Sequence, residues 1–321
     1  MMQRRHLALA ALPLLARPAR AQGEAWPARP VRLVVPFAPG GTTDVVGRLV
    51  AERLGARLGQ PVVVENRAGA GATIGAQAVA RAEPDGHVLL VSSSTSHGVS
   101  PALYPNIPYD AMRDFTHIAM IARSPSMLVV NPAHPARTIA DFAAAARTAG
   151  EIRFAVAGIG TSSHLAGVRL AMALGVRTES VPYRGAGPAL TDVIGGVVPA
   201  MLDSLPSSGP HVRSGALRAL AVSGSERAAA FPDLPTFRES GIDVVSYAWF
   251  GISGPAGLPA PVVARLAREI RAVLTDPAMH QRLEDLGGAP PETTPESYTD
   301  FVAAQIAAFA PLVRAAGLQP R

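Results

Sequence analysis

The stretch 31–58, VRLVVPFAPGGTTDVVGRLVAERLGARL, leaves this chain few ways to fold. Its opening apolar run is short and rich in β-branched residues, as in a strand covered on both faces. Pro36 and Pro39 stop that strand, Gly40 and Gly41 permit a tight turn, and Thr42, Thr43 and Asp44 are good helix-capping residues. Val46, Leu49, Val50, Leu54 and Leu58 then recur at helical spacing, with Arg48, Glu52, Arg53 and Arg57 largely elsewhere on the wheel. Gly59 ends the helix, and 61–65 reads as the next strand. The unit is βαβ, with its turn at the carboxyl end of the first strand, where open α/β sheets bind ligands. Free N–H groups and the positive helix end suit a carboxylate or phosphate there. A glycine turn of this kind also serves many α/β proteins only to redirect the chain.

Later segments repeat the device. Residues 66–75 form a second small-residue turn before a helix, but Gly69, Gly71 and Gly75 are spaced G-x-G-x-x-x-G and follow the second strand, so close helix packing explains them better than a nucleotide does. A third strand at 87–91 opens into Ser92-Ser93-Ser94-Thr95-Ser96-His97, a run that is either a solvated loop or a set of hydroxyl donors. Short strands are expected at 118–121 and 127–130. From Thr138 the pattern restarts: a capped alanine-rich helix, a strand at 152–156, then Gly158-Ile159-Gly160-Thr161-Ser162-Ser163-His164 leading into the helix 165–174. Two such turns, one per α/β unit, offer two sets of N–H donors to one anion across a cleft; the alternative is a routine fold repeat. Arg184 and Asp203 both fall just past strands, where cleft residues lie. Strands at 217–222 and 244–250 follow, then amphipathic helices over 261–274, 278–286 and 295–316.

Composition removes whole classes of chemistry. The chain has no lysine, which excludes Schiff-base catalysis, Walker-type phosphate loops and Ser-Lys dyads. Zero cysteines exclude disulfides and thiolate metal sites. His87, His97, His117, His134, His211 and His280 are scattered without metal-binding spacing, and no cofactor or metal is expected. His164 is either a capping and packing residue or a ligand contact. Residues 1–21 read as an export signal: Arg4 and Arg5 precede the apolar segment 7–16, and Ala19-Arg20-Ala21 is an A-x-A cleavage site that puts the mature start at Gln22. That segment is shorter than the roughly 20 residues of a membrane span, and the arginine pair also fits a twin-arginine signal loosely. With the signal gone, 29 basic residues less 4 leave 25 against 24 acidic, a net charge of +1. No basic stripe with interleaved aromatics remains, which argues against nucleic acid. Without disulfides the mature chain relies on its core, and 48% hydrophobic content supplies one, in two domains.

Taken together, PFAPGGTTD, GAGATIG, GIGTSSH, VPYRGAGPAL, then Trp249-Phe250-Gly251 and PAGLP at 255–259 follow the order found in the extracytoplasmic solute receptors of tripartite tricarboxylate transporters, the Bug family. The chain resembles that family from about Trp26 to its C-terminus. The resemblance implies the type II periplasmic-binding-protein fold: an α/β chain with two lobes of mixed, mainly parallel sheet flanked by helices and joined by a two-segment hinge. The expected first lobe is 22–124 with 226–321, and the second is 125–225. The implied protein is a periplasmic monomer, not an enzyme, that captures a small carboxylate solute and passes it to membrane transporter subunits. Carried onto this chain, the ligand contacts are Phe37, Gly40, Gly41, Thr42, Asp44, Ser92, Gly160, Thr161, Ser162, His164, Arg184 and Asp203. One position departs: Pro199 stands where the family usually has an aspartate, just before the strand that leads to Asp203. Two other readings remain open, an exported serine hydrolase using a serine-rich loop with His97 or His164, and a ligand-sensing signalling receptor on the same fold.

Overall fold

The computed structural model describes residues 26–318 except Pro105 and Ala289. The expected export signal at 1–21 and the start at Gln22 lie outside the described residues. The first part of the chain runs β1 (Val31–Val35), α1 (Thr42–Leu58), β2 (Val62–Asn66), α2 (Thr73–Ala80), β3 (Val88–Ser93), α3 (Ser100–Leu103) and β4 (Phe115–Val130). It continues through α4 (Ile139–Ala149), β5 (Glu151–Val156), α5 (Ser162–Leu174), β6 (Arg177–Pro182), α6 (Ala186–Ile194), β7 (Ala200–Ser204), α7 (Leu205–Arg213) and β8 (Arg218–Val222). The last part is β9 (Tyr247–Pro255), α8 (Ala260–Leu274), α9 (Pro277–Asp285) and α10 (Pro295–Ala315).

The opening unit folds as its pattern dictates. Val31, Leu33, Val34 and Val35 are all buried, since β1 lies between β2 and β3, both parallel to it, with helices on its two faces. Val46, Val50, Leu54 and Leu58 put one stripe of α1 against this sheet. At Gly47 a methyl group would stand 3.2 Å from both Val35 and Val91, so the absence of a side chain lets helix and sheet close together. Gly75 has the same function in α2, where a methyl would meet Pro36 at 2.7 Å, the packing explanation expected for that turn.

Strand β4 makes the two-lobe architecture. Its residues 115–125 pair antiparallel with β9, which in turn pairs with β3, and so complete the first sheet in the order β2-β1-β3-β9-β4. Its residues 126–130 pair with β7 and β8 in the second sheet, where β5 lies parallel to both β6 and β7. The expected pair of short strands is therefore a single strand of 16 residues, continuous through Arg123-Ser124-Pro125-Ser126. Pro125 is tolerated because the ladder changes partner there: Pro125 aligns with Tyr247, the end of one sheet, and Ser126 with Ser204 in the other. The chain returns later than residue 226. Phe237, Ile242 and Val244 are packed with Phe154 and Leu170 in the second lobe's core, which moves the crossing to about Ser246 and Tyr247. A helix absent from the sequence reading, α7, follows β7 directly; its LPSSGPHVR sequence has two prolines and a glycine and lacks a helical apolar period.

Each lobe buries its own apolar set. In the first, α1, α8 and α9 cover one face of the sheet; in the second, α4 and α5 cover one face and α6 with α7 the other. Leu54 is 1% exposed in the first of these cores. Leu54→Ala is expected to lower unfolding free energy by about 2–5 kcal/mol, the range for a buried leucine that leaves a cavity, measurable as a lower urea midpoint with an unchanged slope.

Candidate functional site

Two strand-to-helix turns face each other between the lobes. In the first, Gly40 adopts φ +85, and Gly41 precedes α1 in extended geometry at φ −84. Of the two glycines that permit the turn, only Gly40 is left-handed. A side chain at Gly41 would instead approach Ala186 of the other lobe, whose Cβ lies 3.2 Å away. In the second turn Gly160 takes φ +73 and Thr161 caps α5, its hydroxyl accepting from the His164 N–H at 3.3 Å.

The cleft between these turns is narrow, with a cavity volume of about 40 Å3. Of the residues carried over from the family, Phe37, Gly41, Thr42, Thr161, Ser162 and Asp203 line it. So do Thr43, Ser93, Thr95, Ser126, Ala157, Ser163, Ala186, Ser204 and Phe250, which were not among them. The first residues of α1 and α5 line this space, so the positive ends of two helices border it. The hydroxyls of Thr43, Ser126, Ser162 and Ser204 make no hydrogen bond with other described residues. What the arrangement offers is neutral donors and two positive helix ends, suited to a small anion.

The remaining family positions hold the turns rather than line the cleft. Asp44 is buried and receives the Gly40 N–H at 3.1 Å, Arg48 Nε at 3.0 Å and Asn66 Nδ2 at 2.8 Å. Burial pushes its carboxyl up, but Arg48, Asn66 and Gly40 together outweigh it and hold the pKa below the usual carboxylate value. Asn66 also donates to the Phe37 carbonyl at 3.0 Å, so the first turn is fixed from both ends. His164 accepts the Gly160 N–H on Nδ1 at 3.1 Å and fixes the second turn in the same way. Arg184 lines a vestibule with Phe37 and Tyr104, in front of the cleft, while its carbonyl accepts the Ala38 N–H at 3.0 Å.

Ser92 points away from the cleft, bonded to Tyr298 at 3.0 Å and Ser253 at 2.9 Å, and its strand neighbour Ser93 lines the cleft instead. The period of two in a strand makes that one-residue difference a difference of faces. Ser253 continues to His117 Nδ1 at 3.0 Å, and Ser96 meets His97 Nδ1 at 2.9 Å. Both imidazoles are buried, 5.3 Å apart, and kept neutral: burial, then the nearby His117, pushes His97 well below the usual value, and burial brings His117 to about 4. Ser96 and His97 are each 0% exposed, so this serine-histidine contact is sealed off from any solute.

Asp203 is the one charged residue lining the cleft. Burial raises its pKa to about 7, against the opposing hydrogen bonds from Ser207 and the Ser204 N–H. Ser207, on the unforeseen α7, donates to Asp203 and meets Thr42 Oγ1 at 2.7 Å, linking the first helix start to the buried acid across the cleft. Further bonds join the lobes, among them Ala38 to Arg184, Ser162 N–H to Thr95 Oγ1 at 3.1 Å, and Tyr104 Oη to the Ile159 carbonyl at 3.1 Å. Among the described residues no cluster of three or more His, Cys, Asp or Glu has metal-binding geometry, and no helix is long and apolar enough to cross a membrane.

Comparison with known proteins decides what this two-lobed cleft belongs to. The family model for the tripartite tricarboxylate transporter family receptor matches residues 46–318. The protein BugT of Bordetella pertussis is 38% identical over 297 residues, covering 92% of this chain and 91% of its own. The chain belongs to this receptor family. Among solved structures, the periplasmic binding protein BugD superposes with a TM-score of 0.89 at 38% identity, and Rpa4515 of R. palustris with adipate gives 0.89 at 34%; each match covers 92% of this chain and 100% of the other. In this receptor the fold is the two-lobed α/β fold of periplasmic binding proteins, and the function is solute binding.

The close approach of the two lobes depends on two glycines at the start of α6. A side chain at Gly187 would overlap the Pro39 carbonyl oxygen, and one at Gly185 would come within 3.0 Å of the Ala38 nitrogen. Gly187→Val is expected to hold the lobes apart, read as a larger radius of gyration by small-angle scattering at ligand concentrations that compact the wild type.

The buried acid gives a pH signature. Its folded pKa, about 7, lies above the unfolded value of 3.8, so its contribution to stability is complete below the unfolded pKa and lost as pH rises through 7. Asp203→Asn is expected to raise the melting temperature at about pH 8 and to change it little at about pH 4, as followed by scanning calorimetry. An equal effect at both would mean that Asp203 does not titrate in this range.

Proposed function

We propose that the protein is exported by its first 21 residues, captures a small carboxylate in the cleft between its lobes, and delivers it to the membrane subunits of a tripartite tricarboxylate-type transporter. The observation that carries this reading is the pairing of two helix N-termini across a cleft lined with hydroxyls. Such a site binds anions through fixed dipoles without a full cationic partner. A carboxylate displaces no internal salt bridge on entering, and Asp203 relieves its own repulsion by taking up a proton near neutral pH. The adipate in the R. palustris relative supports the same solute class. On this reading the ligand contacts are the cleft-lining residues, while Asp44 and His164 act by holding the two turns.

Recognition through backbone dipoles reads the carboxylate shared by many acids, so the solute is found by a thermal-shift screen of mono-, di- and tricarboxylates followed by calorimetry. Ser162→Ala is the sharper mutational test, because the Thr161 hydroxyl is already used on the helix cap and on the Gly158 carbonyl at 2.7 Å. Removing one hydrogen bond to a charged group costs about 1.5–3 kcal/mol, which corresponds to roughly one to two orders of magnitude in affinity. A folded Ser162→Ala protein that binds like the wild type would remove this hydroxyl from the site, and a screen without any carboxylate hit would overturn the reading.

A further inference from the structure

Of the apolar clusters among the described residues, one alone draws on both lobes. Val99, Leu103 and Val313 of the first lobe share it with Leu165 of the second, each no more than 3% exposed, and Ile159, Phe309 and Leu312 pack against it. Leu165 lies on α5 one turn after Ser162, and Ile159 belongs to the glycine turn before that helix. The cluster therefore seats the second lobe's cleft-lining turn on the first lobe. Contact there is close: a Cβ at Gly160 would come within 2.4 Å of Leu103 Cδ2, and Tyr104 Oη donates to the Ile159 carbonyl at 3.1 Å.

The seat is completed by the far end of α10. The first part of this helix is fixed beneath the first lobe: Tyr298 meets Ser92 at 3.0 Å, Val302 is buried beside Trp249, and Gln305 accepts the Trp249 indole N–H at 3.1 Å. Phe309 then presses on Gly98, where a Cβ would stand 2.5 Å from its ring. Pro311 follows, which has no N–H and deprives the Ala307 carbonyl of its helical partner. The helix is thus weakest where it passes from its anchored part to its tip, residues 312–318, and that tip carries Leu312 and Val313 to the seat.

The kind of contact decides what holds the lobes together. Cross-lobe hydrogen bonds such as Thr42 to Ser207 and Ser162 to Thr95 are exchanged for bonds to water when the lobes part, so their net contribution is small. Leu165 and Ile159 have no such exchange: parting strips them of apolar cover, and burial of apolar surface is the dominant favourable term in association. We propose that the tip of α10 is a strap that, together with α3, holds the second lobe in its solute-binding position, and that Val313 and Leu103 are positioning residues for capture although neither lines the cleft. Seating Leu165 fixes the start of α5, and with it Ser162 at the cleft wall. A share of the receptor is then closed before solute arrives, and affinity rises with that share. The inference rests on the solute-receptor fold and not on the carboxylate reading.

The test places spin labels at Glu52→Cys on α1 and Arg147→Cys on α4, both exposed, in a chain that has no other cysteine. Pulsed electron resonance on the labelled, solute-free protein is expected to show a short distance between the lobes, a shift of the distribution to longer distances in Val313→Ser and Leu103→Ala, and its return in Val313→Ile. Leu54→Ala, confined to the first lobe's core, is expected to lower the urea midpoint without moving the distance, which separates a strap from a general loss of stability. Adipate, the acid present with the R. palustris relative, serves as the calorimetric probe, and Val313→Ser should weaken its binding roughly tenfold. A solute-free protein without the short distance, or strap variants that keep the original distribution, would overturn the strap and leave the receptor reading intact. Should adipate fail to bind the unaltered receptor, the distances still decide the strap, because they are measured without solute.

Discussion

The binding site exists because two backbone turns approach each other without side chains between them. Residues 38–41 of one lobe and 184–187 of the other meet at the Ala38 to Arg184 hydrogen bond, with Gly185 and Gly187 beside it. A Cβ at Gly187 would occupy the position of the Pro39 carbonyl oxygen. Glycine is needed here for the close approach between lobes, and at Gly40 and Gly160 for the left-handed turn within a lobe. These are separate demands, and they explain why glycine recurs in both segments.

Once the turns are together, electrostatics follows from what is absent as much as from what is present. The cleft lining holds hydroxyls, helix starts and one acid, and no basic side chain. On the proposed reading an anion is held by dipoles fixed by the fold, whose reorganisation cost is met during folding rather than during binding. Asp203 would oppose such an anion if fully ionised, but burial raises its pKa to about 7, so a proton is available to neutralise it. Ser207 carries this acid's hydrogen bonding to Thr42 on the opposite lobe, which couples the charge state of one wall to the position of the other.

Support for the turns comes from a polar layer behind them. Asp44 and Asn66 hold the first turn, His164 holds the second, and Ser92, Ser253, Tyr298 and His117 form a connected set beneath β3. Groups of this kind brace the site from behind and do not line the cleft. Strand β4, common to both sheets, makes the lobes parts of one hydrogen-bonded frame that changes sheet at Pro125–Ser126.

Much of the fold is legible in the sequence because it is encoded over short distances. The run before Pro36, the glycine turn and the apolar stripe of α1 each follow from residue chemistry within a few positions, and the second lobe repeats the pattern at 152–174. The continuous β4 was hidden because a proline inside a strand reads as a break, and only the change of partner at Pro125 makes it harmless. Helix α7 was hidden because neighbours in the lobe, rather than its own prolines and glycine, stabilise it; with it went Ser207. By itself the sequence determined two capped helix starts after glycine turns, a chain without lysine or cysteine, and membership in one receptor family. Which side chains look into the cleft was decided only by tertiary structure. Ser92 and Ser93 are chemically alike, and only the register of β3 against β9 turns one toward the solute and the other toward Tyr298.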